Sequence, residues 1–473
     1  LSQVIWLEYR FYDSESVAVM RYKSTRGGIS GLTFCETLLM GLAPDGGLLL
    51  PESIPNISDN LESWRSLSFV DLAQEIIAIF ADDIPKDDLD TIIKEAYSTF
   101  EHEDVVALEK LGDIHVMELF HGPTLAFKDV ALQLLGGLFD YVLSKSNEHL
   151  NILGATSGDT GSAAIAGIRG RANMDIFIMY PDEKVSPLQE LQMTTNLEPN
   201  VHCIAIDGSF DDCQNLMKSI FGDLAFKKDF RLGAINSVNW ARIMAQIVYY
   251  AYAALKLGGK SSFAVPTGNF GNVFAAYVAH KMGFPIEKLV VATNENDILH
   301  RFFSSGDYSR GTIHFTTTPA MDIQVASNFE RLLYYRVSGD AVRVTRYMNE
   351  FAESGKVILE DLDTDDLFLS TSVSSSESLR VIQSVKDKYD YLLDPHSAVG
   401  YTAATQFMSI IDQPIVAVAT AHPAKFPEAL ALAGIDPVSI HPKLESLKGL
   451  PIRRELFRPE KETIKEFITI SAR

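Results

Sequence analysis

Apolar positions fall at helical spacing over residues 69–80 and 89–100, so this early stretch predicts helices. From about Gly112 the pattern changes to short apolar runs separated by Gly-rich turns and Ala-rich stretches. Residues 150–154 read as a buried strand, 155–161 as a loop and 162–167 as a helix start. The same plan recurs with 263–265 as strand, 266–272 as loop and 273–282 as helix. Further strands are predicted at 176–179, 201–206, 289–292 and 415–420, and an apolar helix over 130–143. Strands alternating with helices predict parallel sheets covered on both faces. The expected fold class is therefore α/β, with two parallel-sheet domains, a cleft between them and a mostly helical N-terminal unit.

The division that follows is residues 20–100 for the helical unit, 101–260 for the first α/β domain and 261–473 for the second. Residues 296–391 are more polar, with Thr316, Thr317, Thr318 and a serine-rich run over 370–378, and read as a peripheral insertion. Residues 1–19 carry Glu8, Arg10, Asp13 and Glu15 and lack the apolar stretch of a secretory signal. They read as an extension or expression remnant ahead of a start at Met20.

Charge narrows the choice of ligand. The chain of 473 residues has 41 Lys and Arg against 62 Asp and Glu, a net charge of −21. Such a surface repels nucleic-acid phosphate and anionic membranes, so an anionic ligand has to be held locally by a few aimed donors. No apolar run approaches the roughly 20 residues of a membrane span. Cys35, Cys203 and Cys213 have no metal-type spacing and cannot all pair, which fits a reducing cytoplasm. The acidic group Asp82, Asp83, Asp87, Asp88 and Asp90 lacks a calcium-loop pattern and reads as a solvated helix face.

Several familiar motifs fail. No G-x-G-x-x-G follows a strand, and Gly259-Lys260-Ser261 has Ala254 where a phosphate loop needs its first glycine. Gly154-Ala155-Thr156-Ser157-Gly158 is near a nucleophile elbow, but its central residue is Thr156. There is no H-E-x-x-H, and the 11 histidines are scattered.

Three other segments carry chemistry. In His121-Gly122-Pro123-Thr124-Leu125-Ala126-Phe127-Lys128-Asp129, Lys128 stands beside apolar residues at the start of a helix. The helix dipole and burial both favour a free amine there, suited to a Schiff base with an aldehyde cofactor. The segment alone also permits a surface lysine paired with Asp129. Thr156 to Ser162 offers hydroxyls and backbone N–H groups between strand and helix, either to an anion or merely as a tight connection capped by Asp159 or Thr160. Pro266-Thr267-Gly268-Asn269-Phe270-Gly271-Asn272 can approach a phosphate with its backbone and present the following helix N-terminus to it.

In their order and spacing these segments resemble the threonine synthase family of the longer bacterial and fungal type. Asn236-Ser237-Val238-Asn239-Trp240-Ala241-Arg242, Asp394-Pro395-His396-Ser397-Ala398-Val399-Gly400 and Thr420-Ala421-His422-Pro423-Ala424-Lys425-Phe426-Pro427 join them. The openings at Tyr22 to Gly28 and Ala43 to Pro51 extend the resemblance from about Met20 to the C-terminus.

The resemblance implies a pyridoxal 5'-phosphate enzyme of the tryptophan-synthase-β-like fold, its cofactor in the cleft. It would convert O-phospho-L-homoserine and water to L-threonine and phosphate, the last step of threonine biosynthesis. By position, Lys128 would hold the cofactor, and Gly268, Asn269, Phe270, Gly271 and Asn272 would cradle its phosphate. Thr156, Ser157 and Asp159 would face the substrate carboxylate and the cofactor's ring oxygen, Asp159 standing where many proteins of this fold have Asn. Thr420 would meet the pyridine nitrogen, and Thr160, Asn236, Ser237 and Arg242 would hold the substrate phosphate. Two alternatives use the same residues: a threonine-synthase-like phospho-lyase releasing 2-oxobutyrate, and a non-catalytic pyridoxal-phosphate-binding protein.

Overall fold

The computed structural model describes residues 19–156, 158–359, 366–412, 414–435 and 440–472. Residues 1–18 of the expected extension and Ser157 lie outside the described residues. Two sheets dominate. The six-stranded sheet runs in the order Phe368–Ser372, Ile286–Thr293, Ser261–Pro266, Ile415–Ala419, Ile114–Glu118, Ala107–Leu111. It is parallel except for its last pair, a hairpin. The five-stranded sheet, in the order Glu455–Phe457, Val201–Ile206, Met174–Pro181, Leu150–Ala155, Leu232–Gly233, is parallel throughout. Ser261–Pro266 and Ile415–Ala419 are buried at every residue, as strands covered by helices on both faces must be.

Helices fix the two sheets relative to each other. Trp240–Leu257 is buried along nearly its whole length and packs on Phe69–Phe80, Lys128–Ser146 and Gly271–Lys281. Lys128–Ser146 crosses Asp159–Ile168 in backbone contact, because a Cβ at Gly136 would strike the Gly167 carbonyl and one at Gly167 the Leu132 carbonyl. That crossing joins the early turns of the first helix to the last turn of the second. The N-terminal unit shares this core: Trp240 packs edge-on against Phe80 at 5.7 Å and against Tyr22 at 6.1 Å. Its strands Tyr22–Ser24 and Leu49–Pro51 pair antiparallel. Two of its acids serve tertiary contacts instead of a purely solvated face: Asp83 accepts from the Cys35 N–H and Asp88 from the Tyr141 hydroxyl, both at 2.8 Å.

The expected boundaries need correction. Ile114–Glu118 pairs with Ile415–Ala419, so residues 101–260 do not supply one sheet and 261–473 the other. Glu455–Phe457 pairs with Val201–Ile206 and crosses back in the same way. Residues 296–391 are not peripheral either. They supply the edge strand Phe368–Ser372, with Ser374 capping the helix that follows, and the largely buried helix Phe329–Arg336. Polarity misled here because many of these hydroxyls cap helices and pair within loops.

Candidate active site

Lys128 is placed by pairing between distant segments. The Phe127 N–H donates to the Thr420 carbonyl at 2.8 Å, and the His422 N–H donates to the Leu125 carbonyl at 3.0 Å. Together with a bridge between Ala126 and Ala421, these bonds seat the first turn of the Lys128 helix at the C-terminal end of strand Ile415–Ala419. Asp129 does not pair with a surface lysine; it is buried and accepts from the Thr124 N–H at 2.8 Å and the Thr124 hydroxyl at 2.7 Å. The Lys128 side chain is 12% exposed and its Nζ lies 3.7 Å from Asp159 Oδ2. Burial lowers its pKa from the usual lysine value; Asp159 opposes this, and Lys425 and Arg242 reinforce it.

Asp159 opens its helix directly after Gly158, whose φ of 150° a side-chain-bearing residue rarely adopts. The helix consequently starts three positions before the expected Ser162, with no side-chain cap from Asp159 or Thr160. Burial alone would raise the Asp159 carboxyl, but Lys425 and Lys128 outweigh it and hold it below the usual range. Lys425 Nζ is 2.7 Å from Asp159 Oδ1, and Gln189 Nε2 donates to the same oxygen at 2.7 Å. Thr156 turns its hydroxyl inward, accepting from the Gly158 and Gly161 N–H groups at 3.1 and 3.0 Å. It braces its own loop, and Thr160 beside it is half-buried.

The second loop forms a cradle. Phe270 adopts φ +65° and the helix Gly271–Lys281 begins at once. A Cβ at Gly268 would come within 2.8 Å of the Ala320 carbonyl oxygen, so glycine keeps the loop closed against that backbone. Buried Asn272 accepts from the Tyr249 and Tyr250 hydroxyls at 2.5 and 2.8 Å, while its Nδ2 has no partner among the described residues. Asn269 is exposed, and its carbonyl accepts from the Asn328 backbone at 3.0 Å and side chain at 3.1 Å. Free helix N–H groups, an orphan amide and a glycine-shaped hollow suit a phosphate. With the buried amine of Lys128, the donor set fits a phosphorylated aldehyde such as pyridoxal 5'-phosphate.

Thr420 is 7% exposed and anchored through its backbone. Its N–H donates to Ser397 Oγ at 3.0 Å, and Ser397 donates to Asp394. No hydrogen bond of its hydroxyl to another described residue occurs, which leaves that hydroxyl for a ligand. On the neighbouring segment, Asn236 Oδ1 accepts from the Val238 and Asn239 N–H groups, and Ser237 Oγ lies 2.7 Å from Ser327 Oγ.

Arg242 follows on the Trp240 helix. It is 5% exposed, and neither its Nε nor its Nη1 has a partner among the described residues. Burial pushes its pKa down to about 10. Arg331, equally buried, shows what an interior guanidinium otherwise requires: it donates to the Leu49 and Val238 carbonyls and to Asn328 Oδ1. An unpaired buried guanidinium is costly unless an anion joins it.

Three family models cover the chain: "Threonine synthase N terminus" at residues 21–97, "Pyridoxal-phosphate dependent enzyme" at 104–360 and "Threonine synthase, C-terminal" at 397–468. A threonine synthase from Pseudomonas aeruginosa is 50% identical over 425 residues, covering 88% of this chain and 91% of that protein. The chain belongs to the threonine synthase family. A threonine synthase from Schizosaccharomyces pombe is 44% identical, with 87% of this chain and 89% of that protein covered. The crystal structure of a PLP-bound threonine synthase from Brucella melitensis superposes with a TM-score of 0.91 at 44% identity, covering 96% of this chain and all of that one (100%).

Within this threonine synthase frame, sequence reasoning had passed over Lys425, Gln189 and Asn328. Lys425 had a legible signal, since it stands between Ala424 and Phe426 in a segment already singled out. Gln189 and Asn328 had none, being ordinary polar residues on distant segments.

Proposed function

We propose that the cleft between the two sheets converts O-phospho-L-homoserine and water to L-threonine and phosphate, with the residues below in the stated roles. Membership of the family supports the reaction, and the unpartnered buried Arg242 beside Lys128 is the observation that carries the assignment of the site. Pyridoxal 5'-phosphate is the cofactor, and when bound it supplies an electron sink for negative charge developing at the substrate's Cα.

The chain's own residues supply the rest. Lys128 Nζ is the nucleophile that attaches the cofactor and, once released, the base placed to take the Cα proton. Gly268, Asn269, Phe270, Gly271 and Asn272 hold the cofactor phosphate through backbone N–H groups and the Asn272 amide. Thr420 would offer a neutral hydroxyl to the pyridine nitrogen, and Asp159, 3.7 Å from Lys128 Nζ, would be the residue beside the ring oxygen. Thr156 braces its own loop, and the substrate carboxylate is assigned to Ser157 on the family resemblance alone. Arg242, with Thr160, Asn236 and Ser237, binds the γ-phosphate as substrate and as leaving group, where a planar, permanently charged fork fits a dianion. A proton is also removed from Cβ so that the phosphate can leave Cγ, and Cγ takes up a proton to become the methyl carbon. Water adds its hydroxyl at Cβ and gives its other proton to the released phosphate, Cα regains its proton, and Lys128 displaces the product amine.

Among the described residues no helix is long and apolar enough to cross a membrane. Three free cysteines, two of them buried, suit the reducing cytoplasm to which we assign the enzyme.

The deciding experiment incubates purified protein with O-phospho-L-homoserine and measures phosphate, threonine and 2-oxobutyrate separately. Threonine and phosphate should appear in equal amounts; 2-oxobutyrate without threonine would make the protein the phospho-lyase instead, and no turnover by cofactor-loaded protein would leave a binding protein. Borohydride reduction and peptide mapping should fix the cofactor on Lys128. A Gly268→Ala protein should lose pyridoxal phosphate on dialysis at least roughly tenfold faster than the parent, because the new Cβ must displace the Ala320 carbonyl. Unchanged retention would take the cofactor phosphate out of this loop.

A further inference from the structure

Lys425 is the second lysine of the site, and nothing in the reaction outlined above uses it. Its side chain is fully buried, its Nζ 2.7 Å from Asp159 Oδ1 and donating to the Thr124 carbonyl at 2.7 Å. Gln189 completes the coordination of Asp159 Oδ1, leaving Oδ2 to face Lys128 at 3.7 Å. One carboxylate thus stands between two lysines with unequal contacts. Lys425 has two close oxygen acceptors, whereas Lys128 has one distant oxygen and the face of Phe127 at 5.2 Å. The short contact of the carboxylate is therefore with Lys425, not with Lys128.

This asymmetry matters for Lys128. A lone buried carboxylate beside it would favour its ammonium form, and an ammonium has no lone pair with which to attack an aldehyde or take a proton. With a cation on its far side, Asp159 is one half of a neutralised pair, and its pull on Lys128 is largely cancelled. Burial then decides for the uncharged amine. The other charged groups facing these two lysines and the acid are few. Asp129 neighbours Lys128 on its own helix, held by Thr124. Arg242 acts on Lys128 from the Trp240 helix, and His396 acts on Asp159 from the helix Pro395–Phe407.

We propose that Lys425 is a positioning residue: its ammonium neutralises Asp159 and thereby keeps Lys128 a free amine, an inference that rests on Lys128 being the residue that holds the cofactor. The opposing view makes Lys425 a strap that ties Thr124 to the Asp159 loop, with no influence on the Lys128 proton.

Cofactor-free protein separates the two. Labelling of Lys128 by trinitrobenzenesulfonate is followed across pH by peptide mapping, which reads the free-amine fraction without any turnover. Lys425→Gln keeps an N–H donor for Thr124 but removes the charge, so the Lys128 midpoint should rise by about one pH unit or more, with about tenfold less free amine below it. Lys425→Arg keeps the charge and should hold the midpoint near the parent's. Adding Asp159→Asn to Lys425→Gln removes the uncompensated anion and should bring the midpoint back down. An unmoved midpoint in Lys425→Gln, or an equal rise in Lys425→Arg, overturns the proposal.

Should Lys425→Gln fail to fold, Asp159→Asn is compared with Asp159→Asn/Lys425→Gln, neither of which leaves Asp159 as an uncompensated anion: the remaining ammonium of Lys425 must hold the Lys128 midpoint lower in the single variant. Equal midpoints, or the reverse order, overturn the proposal as well. Borohydride mapping in the parent keeps the two ideas apart, since cofactor fixed on Lys425 or another lysine refutes the assignment of Lys128 itself.

Discussion

Lys128→Ala protein should fold normally yet release phosphate from O-phospho-L-homoserine at least roughly a thousandfold more slowly than the parent. Two functions disappear together: the nucleophile that attaches the cofactor, and the base at Cα, which alone contributes about 10²–10⁴ in rate. The loss should not extend to stability, because Lys128 is the first residue of its helix and its ion-pair partner among the described residues is an acid 3.7 Å away. Phosphate release by stopped assay and a thermal melt check both halves. Substantial residual turnover would mean that another group, with Lys425 the nearest candidate, performs the proton transfer.

Arg242→Met should show opposite effects on catalysis and stability. Charge-assisted contacts to a desolvated anion are worth about 2–5 kcal/mol, so kcat/KM should fall roughly thirty- to several-thousand-fold. Without substrate, however, the guanidinium is a buried charge whose Nε and Nη1 have no partner among the described residues. Replacing it by an apolar side chain of similar length removes that burden, and the Tm should equal or exceed the parent's. The visible cofactor band should persist, since Arg242 serves the substrate phosphate. A Tm drop would show that Arg242 holds the fold together, and loss of the band would move it to the cofactor phosphate. Arg331 is the contrast: its donors reach Leu49, Val238 and Asn328, so Arg331→Met should destabilise, by about 3–5 kcal/mol for a broken buried network.

Residues whose environment is set nearby were readable along the chain. The helix Phe69–Phe80 and the strand Val201–Ile206 lie where the apolar pattern predicts them, because each buries a face defined by its own residues. The Gly268 loop between a strand and a helix was legible for the same reason: glycines, a following helix and their phosphate-binding capacity occupy neighbouring positions. Lys128 was legible as an amine in apolar company. The hairpin Ala107–Leu111 and Ile114–Glu118 was not, since the polar Glu109, Lys110 and His115 blur an apolar pattern that makes sense only at the edge of a sheet.

Local order along the chain accounts for the strand–loop–helix units, the glycine cradle and the lysine at a helix start, because backbone geometry and side-chain spacing act over a few residues. Only tertiary structure decides that Ile114–Glu118 lies against Ile415–Ala419, that Gly136 and Gly167 let two helices touch, and that Lys425 reaches Asp159. Those contacts join segments far apart in sequence, and a buried charge changes its chemistry according to whichever distant partner the packing brings within about 4 Å.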